Sequence, residues 1–380
     1  MKITGTKTFL VDVNSTKTWL FVRIKTDEGI SGWGECYTLI DRENSIAAYI
    51  EHIGHYLIGR NPLDIKNFTT IMYEDYAGRR GSMDYFCAIS GIEQALWDIV
   101  GKLLGTPIYN LLGGCCRDKV KVFANGWYGE AGTPDELAKR AIKVIESGFK
   151  ALKIYPLRGV KRTFISKQEE EAAIDKVRAV RETVGPDIDL LIDVLRTLSP
   201  FYAVKFARRL EEFRPIWYEE PIASSNIDDL LEIRRLINIP VVAGEAIYSK
   251  LDYRQVFEKR AVDIINPDVC SCGGILEMKE IAAMAEPYNI MVSPHNYNST
   301  VIGLASSLHV SACIPNFLIL EYFVNFKNRG DEISVVPFNV EDGYISIPQG
   351  PGLGVEINEE VLARQTSRNL ARRKVRQYYE

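Results

Sequence analysis

No apolar run in this 380-residue chain approaches the ~18 residues that a membrane-crossing helix needs. The opening MKITGTKTFLVDV reads as a strand and lacks the small-residue cleavage site of a secretory leader. Basic residues are not in excess: 46 Lys and Arg against 50 Asp and Glu leave a net charge of −4, which offers no field to nucleic acid or an anionic membrane. A disulfide framework is missing too. The seven cysteines (Cys36, Cys87, Cys115, Cys116, Cys270, Cys272 and Cys313) are odd in number and scattered, mostly inside apolar runs, as reduced thiols are. Cys270 and Cys272 have no second Cys/His pair at tetrahedral spacing, so a zinc site is not expected. Histidine is scarce: of four, His52, His55 and His309 fall in helical patterns, and His295 alone ends an apolar run. With 46% apolar and 25% charged residues, what remains is a cytoplasmic globular enzyme of roughly two to three domains.

What is present is a repeat. Six short apolar runs end in an ionisable residue: DLLID at Asp193, IWYE at Glu219, PVVAGE at Glu245, VDIINPD at Asp268, IMVSPH at His295 and FLILE at Glu321. The steps are 26, 26, 23, 27 and 26 residues, the length of a strand, a helix and two loops. Near-continuous Val/Ile/Leu strands at that interval read as parallel β/α units covered on both sides. KVFANG (121–126) and KALKIY (150–155) supply two more strands, making eight, so a closed (β/α)8 barrel is expected over 121–330. Amphipathic stretches lie between them at 133–149, 167–185, 200–213, 274–288 and 299–314. Thr133 and Glu136 form a helix-start signal for the first.

Residues 1–120 lack this period. ITGTKTFLVDV, WLFVRIKTDEG and SGWGECY read as an antiparallel meander, followed by helical patterns at SIAAYIEHIGHYLIG and SMDYFCAISGIEQALWDIVGKLLG. An α+β unit therefore precedes the barrel. The turn-rich residues 331–352 add no ninth barrel strand and are expected to return to that unit with the rest of 331–380, whose charged end reads as a solvated helix.

In such a barrel the strand ends meet around one pocket. Asp193, Glu219 and Glu245 end consecutive strands; three clustered anions are stable only around a cation or with protons taken up. All-oxygen donors select a hard ion, Mg²⁺ first and Mn²⁺ second. Asp268 and His295 end the next two strands, and a carboxylate accepting one imidazole N–H would orient the ring and raise its basicity. Lys153 and Tyr155 share one face of KALKIY, opposite His295, and Lys153 could lower the phenol's pKa. Glu321 would hydrogen-bond an anionic oxygen if crowding kept it protonated. A divalent ion opposed by positioned bases suits removal of a proton α to a carboxylate.

At these residues the chain resembles the enolase superfamily, and within it the mandelate racemase-like sugar-acid dehydratases. AISGIEQALWDIVGKLLGTPIYNLLGG (88–114), WYEEPI, AGEAIYS, INPDVCSCGGI and SPHNYNS stand in family order at family spacing. The resemblance implies Mg²⁺ at Asp193, Glu219 and Glu245, a His295–Asp268 dyad, and Glu321 beside a substrate carboxylate. It also implies a capping domain whose loops close over the barrel, with 14–19, 36–44 and 76–83 as the closing segments, and a symmetric homo-oligomer. Arg79, Arg80, Asn125 and Tyr128 suit a polyhydroxylated acid. Two positions depart from the family: Lys153-Ile154-Tyr155 stands for Lys-x-Lys, and Asp193-Val194-Leu195 for Asp-x-His or Asp-x-Asn. The expectation is an aldonate or aldarate dehydratase acting on a small acid sugar, with a racemase or epimerase, a lactonizing enzyme, or a non-catalytic acid-sugar-binding barrel as alternatives.

Overall fold

The computed structural model describes residues 1–14, 17–160 and 163–365. The chain opens on an antiparallel meander, β1 (Ile3–Asn14), β2 (Lys17–Thr26) and β3 (Ser31–Cys36). The β2–β3 turn falls at Asp27–Gly29, where Gly29 takes φ +80°. The helices Glu43–Leu57 and Met83–Leu103 pack on this sheet. Gly32 and Gly34 let β3 lie backbone to backbone on Met83–Leu103; a Cβ at either would fall on the carbonyl oxygen of Ala95 or Gly91. Ile46, Ile50 and Ile53 then meet Leu20, Val22 and Ile24 in a core of their own.

Eight parallel strands follow: β4 (Lys119–Asn125), β5 (Ala151–Ile154), β6 (Asp189–Asp193), β7 (Trp217–Glu219), β8 (Val241–Ala243), β9 (Ile264–Ile265), β10 (Met291–Val292) and β11 (Leu320–Phe323). They pair in sequence from β4 to β10, and β11 pairs with β4. The ring closes between β10 and β11 through Val292 N–H to Asn316 O (2.8 Å), Leu318 N–H to Val292 O (2.8 Å) and Glu321 N–H to Pro294 O (3.2 Å). The five helical stretches read from the sequence form at Pro134–Glu146, Lys167–Val184, Pro200–Leu210, Ile275–Ala285 and Val301–Cys313, and two more, Ile227–Leu236 and Lys250–Lys259, complete the connections. Thr133 and Glu136 make the expected capping box, and Ser166 with Glu169 makes a second.

The barrel interior is layered. Phe123, Ala151, Leu191, Trp217, Val242, Ile264 and Ile319 form an apolar layer, with Met291 partly buried against it. Two residues further along each strand, on the same face by the pleat, come Asn125, Lys153, Asp193, Glu219, Gly244, Asn266, Ser293 and Glu321. The chemistry begins where the apolar floor stops.

After β11, β12 (Tyr344–Ser346) pairs antiparallel with Lys119–Lys121, outside the parallel ring. The chain then reaches the N-terminal unit: Leu353 N–H donates to Asp98 Oδ1 at 2.9 Å and Ile108 N–H to Gly352 O at 3.1 Å. Glu359–Gln365 is helical. The basic tail beyond it, and Ser15 and Thr16 of the 14–19 segment, lie outside the described residues. Among the described residues no helix is long and apolar enough to cross a membrane.

Candidate active site

A cavity of about 750 Å³ opens above the polar layer. Asp193, Glu245, His295, Lys153 and Tyr155 line it, with Asn125 and Tyr128 on the same wall; Glu219, Asp268 and Glu321 sit buried beneath. The N-terminal unit contributes Lys17, Tyr37 and Leu39, from the 14–19 and 36–44 segments. Segment 76–83 lies elsewhere. Arg79 and Arg80 are exposed on the N-terminal unit, Arg79 3.6 Å from Glu74, and neither lines the cavity in this structure. Gly81, next in the chain, lies so close to the Phe86 ring that a Cβ there would strike it.

Asp268 and His295 are brought together as expected. Their backbones form a parallel bridge, and His295 Nδ1 lies 2.6 Å from Asp268 Oδ2. Cys270 N–H donates to the other oxygen, Oδ1, at 2.7 Å. His295 Nε2 is 3.1 Å from Glu245 Oε2 and 3.6 Å from Glu321 Oε2. Burial alone would lower the imidazole's pKa, but Glu321, Glu245 and Asp268 outweigh it and hold the ring well above its ordinary value. As arranged, the imidazole favours its charged form.

Lys153 lies on the far side of the ring, its ammonium 2.8 Å from Glu219 Oε1 and 2.9 Å from Glu321 Oε1. Burial pulls Lys153 down, yet these carboxylates keep it charged. Two expectations change in consequence. Glu321 was expected protonated by crowding. Burial does push it up, but Lys153, His295 and the Asn296 N–H at 2.8 Å outweigh that and hold it below the usual carboxylate value. Tyr155 was expected to lose its proton readily beside Lys153. Instead burial raises it, its hydroxyl is turned to Thr197 Oγ1 at 3.4 Å, and the lysine points away toward the acids.

Asp193 and Glu219 stand side by side in register, and Glu245 follows two residues past β8. Burial first, then mutual repulsion, raises Asp193 to about 6 and Glu219 to about 8, despite Lys153. Glu245 behaves oppositely: burial raises it, but His295 and Arg196 hold it well below its ordinary value. Around them six carboxylates (Asp193, Glu219, Glu220, Glu245, Asp268 and Glu321) outnumber the cationic groups paired with them among the described residues, Lys153, Arg196 and His295. That surplus of oxygen anions fits a hard divalent ion. The oxygens are engaged from within: Lys153 and Asn266 Nδ2 hold Glu219 Oε1, Trp217 Nε1 holds Oε2, and Arg196 holds Glu245 Oε1 at 2.7 Å. Accordingly, among the described residues no three His, Cys, Asp or Glu side chains converge at metal-ligand spacing.

Several contributors escaped the sequence reading. Arg196 bridges Glu245 and Glu220, and it is aimed there by a backbone in which Leu195 and Arg196 both take positive φ (+46° and +59°), a costly conformation for such residues. Asn266 could have been found, because it sits two residues before Asp268 on the same strand face. Lys17 carried no signal; its ammonium donates to Thr38 O and Oγ1, and burial lowers it to about 8.

Comparison with known proteins agrees with this layout. Residues 7–113 match the mandelate racemase / muconate lactonizing enzyme N-terminal domain, and residues 136–361 the enolase C-terminal domain-like family. The chain is 35% identical over 377 residues to a D-galactonate dehydratase of Variovorax paradoxus (strain S110), covering 97% of this chain and 95% of that one. It is 33% identical over 344 residues to a D-gluconate dehydratase of Thermoproteus tenax, covering 90% and 69%. The crystal structure of a mandelate racemase/muconate lactonizing enzyme-like protein from Rubrobacter xylanophilus DSM 9941 superposes with a TM-score of 0.88 at 33% identity, over 97% of this chain and 98% of that one. A member of the enolase superfamily from Salmonella Typhimurium gives 0.90 at 29%, over 96% and 98%.

Proposed function

The chain belongs to the enolase superfamily, in its mandelate racemase/muconate lactonizing enzyme group, and from that premise we propose that it is a Mg²⁺-dependent hydro-lyase that removes the proton α to the carboxylate of an acid sugar and eliminates water. The observation that carries this reading is the Asp268–His295 pair, 2.6 Å apart, facing Lys153 across a carboxylate-rich cavity. Relatives named for D-galactonate and D-gluconate dehydration support the substrate class. The cavity's volume suits a six-carbon acid.

In this reading Asp193, Glu219 and Glu245 hold the divalent ion, which when bound stabilises negative charge on the substrate carboxylate. The chain's own groups move the protons. Asp268 accepts Nδ1–H of the charged His295 ring and orients it, which leaves Nε2–H to protonate the departing β-hydroxyl. Lys153, on the opposite wall, accepts the α-proton in its neutral form, after giving to solvent the proton that Glu219 and Glu321 hold on its ammonium in this structure. Its Nζ reaches the polar layer, whereas the Tyr155 hydroxyl turns to Thr197 and serves as wall. Leu195, where many relatives carry an imidazole, neither gives nor takes a proton. Glu321 orients both carriers, lying 2.9 Å from Lys153 and 3.6 Å from His295. The same reading takes 1–120, rejoined by 331–380, as a capping unit, 121–330 as the catalytic barrel, and the assembly as a symmetric homo-oligomer.

The test is a panel of stereoisomeric aldonic and aldaric acids, assayed for keto-deoxy product with Mg²⁺ and again with EDTA. Product from one or a few members, lost with EDTA, is expected. Solvent exchange at the α-carbon without loss of water would make the chain a racemase or epimerase. Saturable binding with neither reaction would make it a binding barrel.

A further inference from the structure

The N-terminal unit does more than roof the cavity. The loops that follow Asp268 and His295 are both tied to the same small region of that unit. Tyr37 N–H donates to Cys270 O at 3.0 Å, and Trp19 Nε1–H to Asn298 O at 2.8 Å. Glu35, at the end of β3, accepts from Thr300 N–H (2.9 Å), Thr300 Oγ1–H (2.7 Å) and Gly303 N–H (2.9 Å), at the first turn of the helix that follows His295. Gln94, on Met83–Leu103, connects the two. Its Nε2 donates to Glu35 O (2.9 Å) and to Val269 O (3.3 Å), one residue past Asp268. Its Oε1 accepts from Glu35 N–H (3.3 Å) and from Ser306 Oγ–H (3.1 Å), on the helix after His295. Both side chains are buried, Gln94 fully.

Buried polar groups with every partner fixed cannot shift singly, because each lost bond leaves an unsatisfied atom. The Asp268 loop and the His295 helix are therefore held in register by residues 175 to 268 positions earlier. We infer that Glu35 and Gln94 are a positioning pair, through which the N-terminal unit sets the distance between Asp268 and His295. This rests on reading that dyad as the proton carrier. A displacement of about 1 Å at a reacting group costs on the order of 100-fold in rate, so the pair should govern kcat with little effect on KM.

The experiment compares Gln94→Met and Glu35→Gln with Thr133→Ala, a control that removes a helix cap far from the dyad. The readouts are steady-state kinetics, thermal melting and the low-field proton NMR signal of His295 Nδ1–H, assigned by its loss in His295→Asn. The expected result is a kcat lower by about 10- to 100-fold with KM within about twofold, and a shifted or lost low-field signal, in both variants but not in the control. If both kept the signal and kcat while melting lower like the control, the pair would be merely structural and the inference overturned. Should both fail to fold, Ser306→Ala removes one hydroxyl from the network. A small shift of the same signal is then expected, and an unmoved signal overturns the idea. Because the NMR readout needs no turnover, it decides even if no acid sugar is dehydrated.

Discussion

His309 makes the stability of this fold depend on pH in a direction that can be worked out. It is fully buried where the helix after His295, the N-terminal unit and the returning C-terminal segment meet. Its Nε2–H donates to Leu353 O at 3.0 Å, Nδ1 accepts from Tyr109 N–H at 3.4 Å, and the ring stacks on Tyr109. Both nitrogens are thus used by the neutral form. Burial lowers the imidazole from 6.5 to about 4, the Leu353 bond opposing only in part. Below pH ~6.5 the unfolded chain takes up a proton that the folded one refuses, so stability is complete above ~6.5 and falls as the pH drops toward ~4. The whole shift corresponds to about 3 kcal/mol, of which about 2 kcal/mol is lost between pH ~7.5 and ~5. Carboxylates elsewhere titrate in the same range, so the measurement is a difference: urea unfolding of wild type and His309→Gln at both pH values. Glutamine keeps a donor for Leu353 O and does not titrate. Wild type should lose about 2 kcal/mol more than the variant over that interval. Equal losses would refute the reasoning and mean that His309 is protonated, or exposed, in the folded state.

Other substitutions test other parts of the account. Gly34→Ala would drive a methyl into the Gly91 carbonyl, and should cost about 1–3 kcal/mol or more in thermal unfolding; a neutral result would contradict the close packing of β3. Thr133→Ala removes the capping-box hydroxyl that accepts from Glu136 N–H, and should cost about 1 kcal/mol with activity retained. Lys153→Ala should eliminate dehydration, while Tyr155→Phe keeps most of it; the reverse outcome in initial-rate assays would return the α-proton to the phenol. Arg196→Gln frees Glu245 Oε1 and should tighten divalent-ion binding measured by calorimetry; weaker binding would make the arginine a necessary organiser of the ligands.

The barrel was legible because its signal is local and repeated: an apolar strand, an ionisable end and a helix start recur at a constant step. The Asp268–His295 contact followed, since strands adjacent in sequence are adjacent in a parallel barrel. Side-chain direction was harder. Lys153 was placed on the correct strand and wall, but the strand period does not say that its ammonium turns to Glu219 and Glu321 instead of Tyr155. The protonation of Glu321 turns on the same point: Lys153 and His295 were visible in the sequence, but not that their cationic groups come within 2.9 and 3.6 Å of it. Gln94 and Glu35 act on residues 175 to 268 positions away, on the segments that follow the dyad residues, which no periodicity encodes. Arg79 and Arg80 illustrate the converse, a basic loop that reads as functional and does not line the cavity in this structure.

The central claim is that this cavity removes an α-proton and expels a β-hydroxyl, with His295 carrying one of the protons. Its most direct test is turnover of a responsive acid sugar in D₂O with Mg²⁺, by wild type and His295→Asn, followed by NMR and mass spectrometry. The account predicts a keto-deoxy product from wild type with one solvent deuterium on the carbon that lost its hydroxyl, and none from His295→Asn. Undiminished product from His295→Asn, or deuterium at the α-carbon of unreacted substrate with no water lost, would contradict it.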